Sequence, residues 1–99
     1  MEEVITQAIV EEFMLRMHLD DDEEGNLKNI LEASYYDLLD KCGDYDMTDK
    51  RFKELVFERA RYVYNDAVEY FDTNFLPQIN SLAIKKALES SDSDESEQI

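Results

Sequence analysis

With 99 residues, 43% of them hydrophobic, the chain holds material for one small core, which excludes a second folded domain. A lone cysteine, Cys42, excludes an internal disulfide and a thiolate metal cluster. Twenty-five acids against ten bases leave a net charge of -15, which opposes any role that grips nucleic-acid phosphates over a broad surface.

Two glycines and one proline stand far apart, so the chain reads as helices joined by short connections, an all-α fold built as a small bundle. No run approaches the roughly 20 apolar residues of a membrane span. The N-terminus opens Met-Glu-Glu rather than with bases ahead of an apolar stretch. Neither a membrane segment nor a secretion signal is expected, and the chain is expected to fold inside a cell with Cys42 reduced.

The first twenty residues carry apolar side chains on all sides (Val4, Ile5, Ile9, Val10, Phe13, Met14, Leu15, Met17, Leu19), which predicts a helix without saying which face is buried. Residues 24–42 carry Leu27, Ile30, Leu31, Leu38 and Leu39 at helical spacing, with Ser34 and Tyr35 on the turn between. Acids from Asp21 to Glu24 suit the start of that helix, and Gly43 suits its stop.

Residues 1–49 hold fifteen acids and three bases, and the sign then reverses. Lys50, Arg51, Lys53, Arg59 and Arg61 face only Glu54 and Glu58 within the next twelve residues. An acidic half and a basic patch on one molecule suit head-to-tail association of copies, or simply a solvated helix start.

From about Arg51 to Asn74 the pattern predicts one long helix of about 36 Å, a structural spine. Phe52, Leu55, Val56, Val63, Ala67 and Tyr70 make one apolar stripe, and Phe57, Tyr64, Val68, Phe71 and Phe75 make a second beside it. Either both neighbouring helices share that arc, or one stripe serves another molecule. After Pro77, Ile79, Leu82 and Ala83 form a short amphipathic C-terminal helix that needs a surface to dock on. Residues 1–89 thus make the helical domain, and 90–99 (SSDSDESEQI) read as a disordered acidic tail with serines open to phosphorylation.

Two stretches invite comparison with calcium loops, and both depart from the pattern. Asp20, Asp22, Glu24 and Gly25 are well placed, but Leu31 stands where the bidentate glutamate belongs; Asp44 to Leu55 ends in leucine too and has Asp49 at the glycine position. His18, the only histidine, has no nucleophile beside it in sequence, and no phosphate loop is present. No catalytic activity, metal or cofactor is expected.

The stretch Lys53-Glu54-Leu55-Val56-Phe57-Glu58-Arg59-Ala60-Arg61-Tyr62-Val63-Tyr64-Asn65-Asp66-Ala67, continuing through Glu69-Tyr70-Phe71 to Asn74-Phe75-Leu76, resembles the long helix of the tailed-phage head-to-tail connector, or adaptor, proteins. Also similar are an early helix with Glu11, Glu12, Phe13, Leu15 and Arg16, the acidic loop after it, a second helix of the type Asn26-Leu27-Lys28-Asn29-Ile30-Leu31-Glu32-Ala33, and the Cys42-Gly43-Asp44 turn. The likeness spans residues 11–84 and consists of packing patterns without a catalytic signature.

The resemblance implies a structural subunit that forms a ring of about twelve copies under the capsid portal. Such a ring receives the next neck (stopper) or tail-completion protein and lets DNA pass through its bore without specific binding. The free subunit can be a monomer that closes into the ring only on the portal. The implied location is the virion neck, after the host bacterial cytoplasm, with no membrane. On the same reading Phe57, Tyr64, Val68, Phe71 and Phe75 are candidate subunit contacts, joined by Arg59 and Arg61 of the basic patch. Ile79, Leu82 and Ile84 are candidates for docking on the portal. Two alternatives compete: an acidic mimic of DNA that occupies a nucleic-acid enzyme, and a generic helical adaptor of a cellular complex. A mimic should spread its carboxylates along one elongated face, and it leaves the wide aromatic arc unexplained.

Overall fold

The computed structural model describes residues 3–98, with side chains for residues 3–89. It is all-helical, with no strand among the described residues. Four α-helices, α1 (Gln7–Met17), α2 (Asn26–Cys42), α3 (Lys50–Tyr64) and α4 (Phe71–Gln98), follow in order, and a 3-10 turn at Val68–Tyr70 leads into the last. The backbone of α4 is helical through Gln98, and the expected disordered tail, 90–99, falls on residues whose side chains, or in the case of Ile99 the whole residue, lie outside the described ones.

Helix α1 starts where the Thr6 hydroxyl accepts from the Ile9 N–H (3.3 Å). It stops at His18, which turns left-handed (φ 60) so that the His18 and Leu19 amides close on the Leu15 and Met14 carbonyls. The structure settles which face is inside. Ile5, Val10 and Phe13 are buried, while Leu15 is left 78% exposed.

The acids before α2 do not form its first turn. Glu23 and Glu24 take positive φ (55 and 59) in a tight turn, and Gly25 (φ 88) opens the helix at Asn26 without a side-chain cap. The buried face of α2 is Leu27, Leu31, Ser34, Tyr35, Leu38 and Cys42, the repeat expected of a helix packed on one side. Burial pushes the Cys42 thiol up, away from the reactive thiolate.

Helix α3 begins at Asp49, whose carboxylate accepts from the Phe52 N–H at 2.9 Å. Asp49→Ala should lower stability by about 1 kcal/mol, read as a lower urea midpoint at unchanged slope.

The single helix predicted from Arg51 to Asn74 does not form. The chain breaks after Tyr64, because Asn65 and Asp66 can end a helix from within the turn. Asp66 adopts φ 59, the Ala67 N–H returns to the Tyr62 carbonyl (2.8 Å), and the Asn65 amide donates to the Arg61 carbonyl (3.0 Å). Short polar side chains tolerate that left-handed residue and satisfy the carbonyls the helix leaves open. The element expected after Pro77 is the second of two helical runs that α4 joins across a kink at Phe75 (φ -116, ψ 15), two residues before a proline that lacks the N–H for the ladder. It is longer than expected, reaching Gln98.

Because of the break, α4 folds back on α3 and α2 instead of extending away from them. Tyr62 meets Phe71 and Phe75 edge-on, each with ring centroids 5.7 Å away. Phe13 packs on Phe57 (5.7 Å), and Phe52 sits between Tyr35 (5.6 Å) and Tyr45 (5.5 Å). The Tyr45 hydroxyl donates to the Leu82 carbonyl at 2.8 Å, which ties the α2–α3 connection to α4.

Candidate functional site

A cleft of about 780 Å³ lies between α3 and α4, well within the size range of ligand or peptide sites. The α3 wall supplies Lys50, Arg51, Glu54, Leu55 and Glu58, and the α4 wall supplies Phe75, Pro77, Gln78, Ser81 and Leu82. The kink at Phe75 and Pro77 shapes that second wall. Lys85 lies one turn beyond Ser81 on the same face of α4, and Ile84 and Leu88 continue that side with 59% and 57% of their surface exposed.

The charges around this groove divide into two kinds. Glu54 accepts both Arg16 guanidinium bonds (2.6 and 3.0 Å), and that hydrogen bonding holds its carboxyl below the usual range while raising Arg16. Glu58 is held by Arg61 at 2.7 Å and approached by Arg16 at 3.8 Å. Lys53 pairs with Glu12 (2.9 Å), Arg59 with Asp37 (3.1 Å), and Lys41 with Asp37 (2.8 Å) and Asp72 (2.7 Å). Lys28 pairs with Glu3, and Lys86 with Glu89 (3.4 Å). Among the described residues the bases left without an ion pair are Lys50, Arg51 and Lys85, and all three sit on or beside the groove. In a chain with more than two acids for every base, that grouping leaves one positive edge on an otherwise negative molecule.

The candidate residues from the sequence scatter relative to this groove. Phe57 and Phe71 are fully buried in the core, so neither presents a surface for a neighbouring molecule. Ile79 and Leu82 are likewise core residues, covered by the fold-back of α4, although Leu82 also reaches the groove floor. Arg59 donates to the Ser34 hydroxyl (3.1 Å) as well as to Asp37, and Arg61 is spent on Glu58. Tyr64 is half-buried and donates to Glu23 (2.6 Å). Phe75 is half-buried on the groove wall, while Val68 and Ile84 are exposed.

Lys50 and Arg51 belong to the basic patch seen in the sequence, but nothing there separates them from Lys53, Arg59 and Arg61. Their natural helical partner is Glu54, four and three residues on. That carboxylate is taken by Arg16, 38 residues away, and only the tertiary structure reveals it. Comparison with family models, curated proteins and solved structures returns no match, so the groove is read from its own chemistry.

Proposed function

We propose that this chain is a structural neck protein of a tailed phage, a ring subunit that joins the capsid portal to the next neck or tail protein and lets DNA pass through the bore. The observation that carries this reading is the two-sided surface of a small helical bundle. An apolar groove with unpaired bases lies on one edge, and acids dominate elsewhere. Such a molecule has contacts to offer neighbours. Of the proposed contact sets, exposed Val68 and Ile84, and Phe75 on the groove wall, are open to a partner. A bore lined with some of the -15 charge would repel phosphates and let the genome slide without sticking.

The test is to mix the purified protein with its portal and weigh the complexes by native mass spectrometry. A ring of about a dozen copies on the portal is expected. No binding to the portal, together with tight one-to-one inhibition of a nucleic-acid enzyme, would replace this reading with the DNA mimic.

A further inference from the structure

The unpaired bases mark one end of α3, and the acidic loop marks the other. Lys50 and Arg51 open the helix, whereas Glu23 of the Asp20–Glu24 loop bonds to Tyr64 at its last residue. Fourteen residues of rise separate the two ends by about 20 Å. The loop therefore cannot reach Lys50 and Arg51 of its own chain. Five residues before the loop in the chain stands Leu15, the most exposed large apolar side chain among the described residues.

We propose that the groove of one copy receives Leu15 and the Asp20–Glu24 loop of a second copy, so that subunits join head to tail. Leu15 meets the apolar lining of Leu55, Phe75 and Pro77, and the five consecutive acids meet Lys50, Arg51 and Lys85. Because the two surfaces differ, the contact is heterologous, and repetition closes a ring or runs on as a filament. It deepens the ring reading given above and rests on it for its biological use.

Salt should act in two opposed ways. Copies of net charge -15 repel over long distances at low ionic strength, and that repulsion is screened near 0.15 M, where the Debye length is about 8 Å. Contact pairs fade only at higher salt. Association is therefore expected to be strongest at intermediate salt.

Sedimentation equilibrium of the full chain at about 0.15 M salt tests the contact. The wild type should self-associate with a Kd of about 1 mM or tighter. Lys50→Glu with Arg51→Glu, or Asp21→Lys with Asp22→Lys, should each leave a monomer with unchanged helicity, and Leu15→Ser should do the same. Mixing the two charge-reversed proteins one to one should restore association, since each then offers the other a matched surface. A monomeric wild type, association indifferent to these substitutions, or a mixture that stays monomeric overturns the proposal. The portal separates the two readings. Rings formed there by the groove-reversed protein would remove this contact and keep the neck function. A wild type that self-associates as described but ignores the portal would do the reverse.

Discussion

Phe57→Ala should destabilise the monomer by about 3–5 kcal/mol, measured as a large fall in the urea midpoint of the far-ultraviolet circular dichroism signal. A domain of this size has about 5–15 kcal/mol in total, so the variant should be close to unfolding at physiological temperature. The reason is local. The ring is fully buried, packs on Phe13 with centroids 5.7 Å apart, and lies under the Arg16 guanidinium at 5.0 Å and the Lys53 ammonium at 5.8 Å. Truncation leaves a cavity at the junction of α1 and α3 and removes the surface on which two ion pairs, Arg16 to Glu54 and Lys53 to Glu12, are organised. Val68→Ala, by contrast, should change stability by less than about 0.5 kcal/mol, because that side chain is exposed. The pair of variants separates core from surface within what looks, in sequence, like one stripe. A loss below about 1 kcal/mol for Phe57→Ala would contradict its place in the core.

That stripe also shows where reading from sequence succeeds and where it stops. Periodicity finds the buried face of α2, because Leu27, Leu31, Leu38 and their neighbours repeat against one surface. It fails between α3 and α4, where the apolar spacing runs on through a turn. Asn65 and Asp66 break the helix by backbone conformation and by local hydrogen bonds, and neither interrupts a hydrophobic pattern. Once α4 turns back, the residues of the second stripe land in different places. Phe57 and Phe71 enter the core, Phe75 lines a groove, and Val68 stays in solvent. An arc that looks too wide for one core thus belongs to the faces of separate helices, each with its own neighbours.

The groove was half legible. Its bases are visible as a local reversal of charge, and the proline that helps shape it is the only one in the chain. Which bases remain unpaired depends on contacts such as Arg16 to Glu54 and Lys53 to Glu12, across 38 and 41 residues. Sequence neighbours carry no record of these. The same holds for Leu15, one of many apolar residues in α1 until packing chooses Val10 and Phe13 for the inside.

Gly43→Ala should lower stability by about 1–3 kcal/mol, from one added methyl group. Gly43 has φ 106 and ψ -168, a region that residues with a Cβ essentially do not enter. A Cβ there would also stand 2.8 Å from Lys86 Cγ. The two costs are separable, because Lys86 is flexible and the backbone is not. Lys86→Ala added to Gly43→Ala should recover only the smaller, steric cost. Gly25→Ala is the control: φ there is 88, ψ is 0, and nothing lies within 4 Å of the added atom, so its cost should be the lesser of the two. The consequence of the Gly43 change extends to the groove. This turn delivers Tyr45 to the Leu82 carbonyl and beneath the Lys86 ammonium, 4.4 Å from the ring centroid, and so helps hold the α4 wall in place. Amide hydrogen exchange should accordingly speed up in α4 around Ile79 to Lys86 more than at Val10 and Phe13 of α1. Uniform acceleration across both helices would mean that the turn serves only global stability, and an unchanged exchange pattern at unchanged stability would contradict the strained geometry itself.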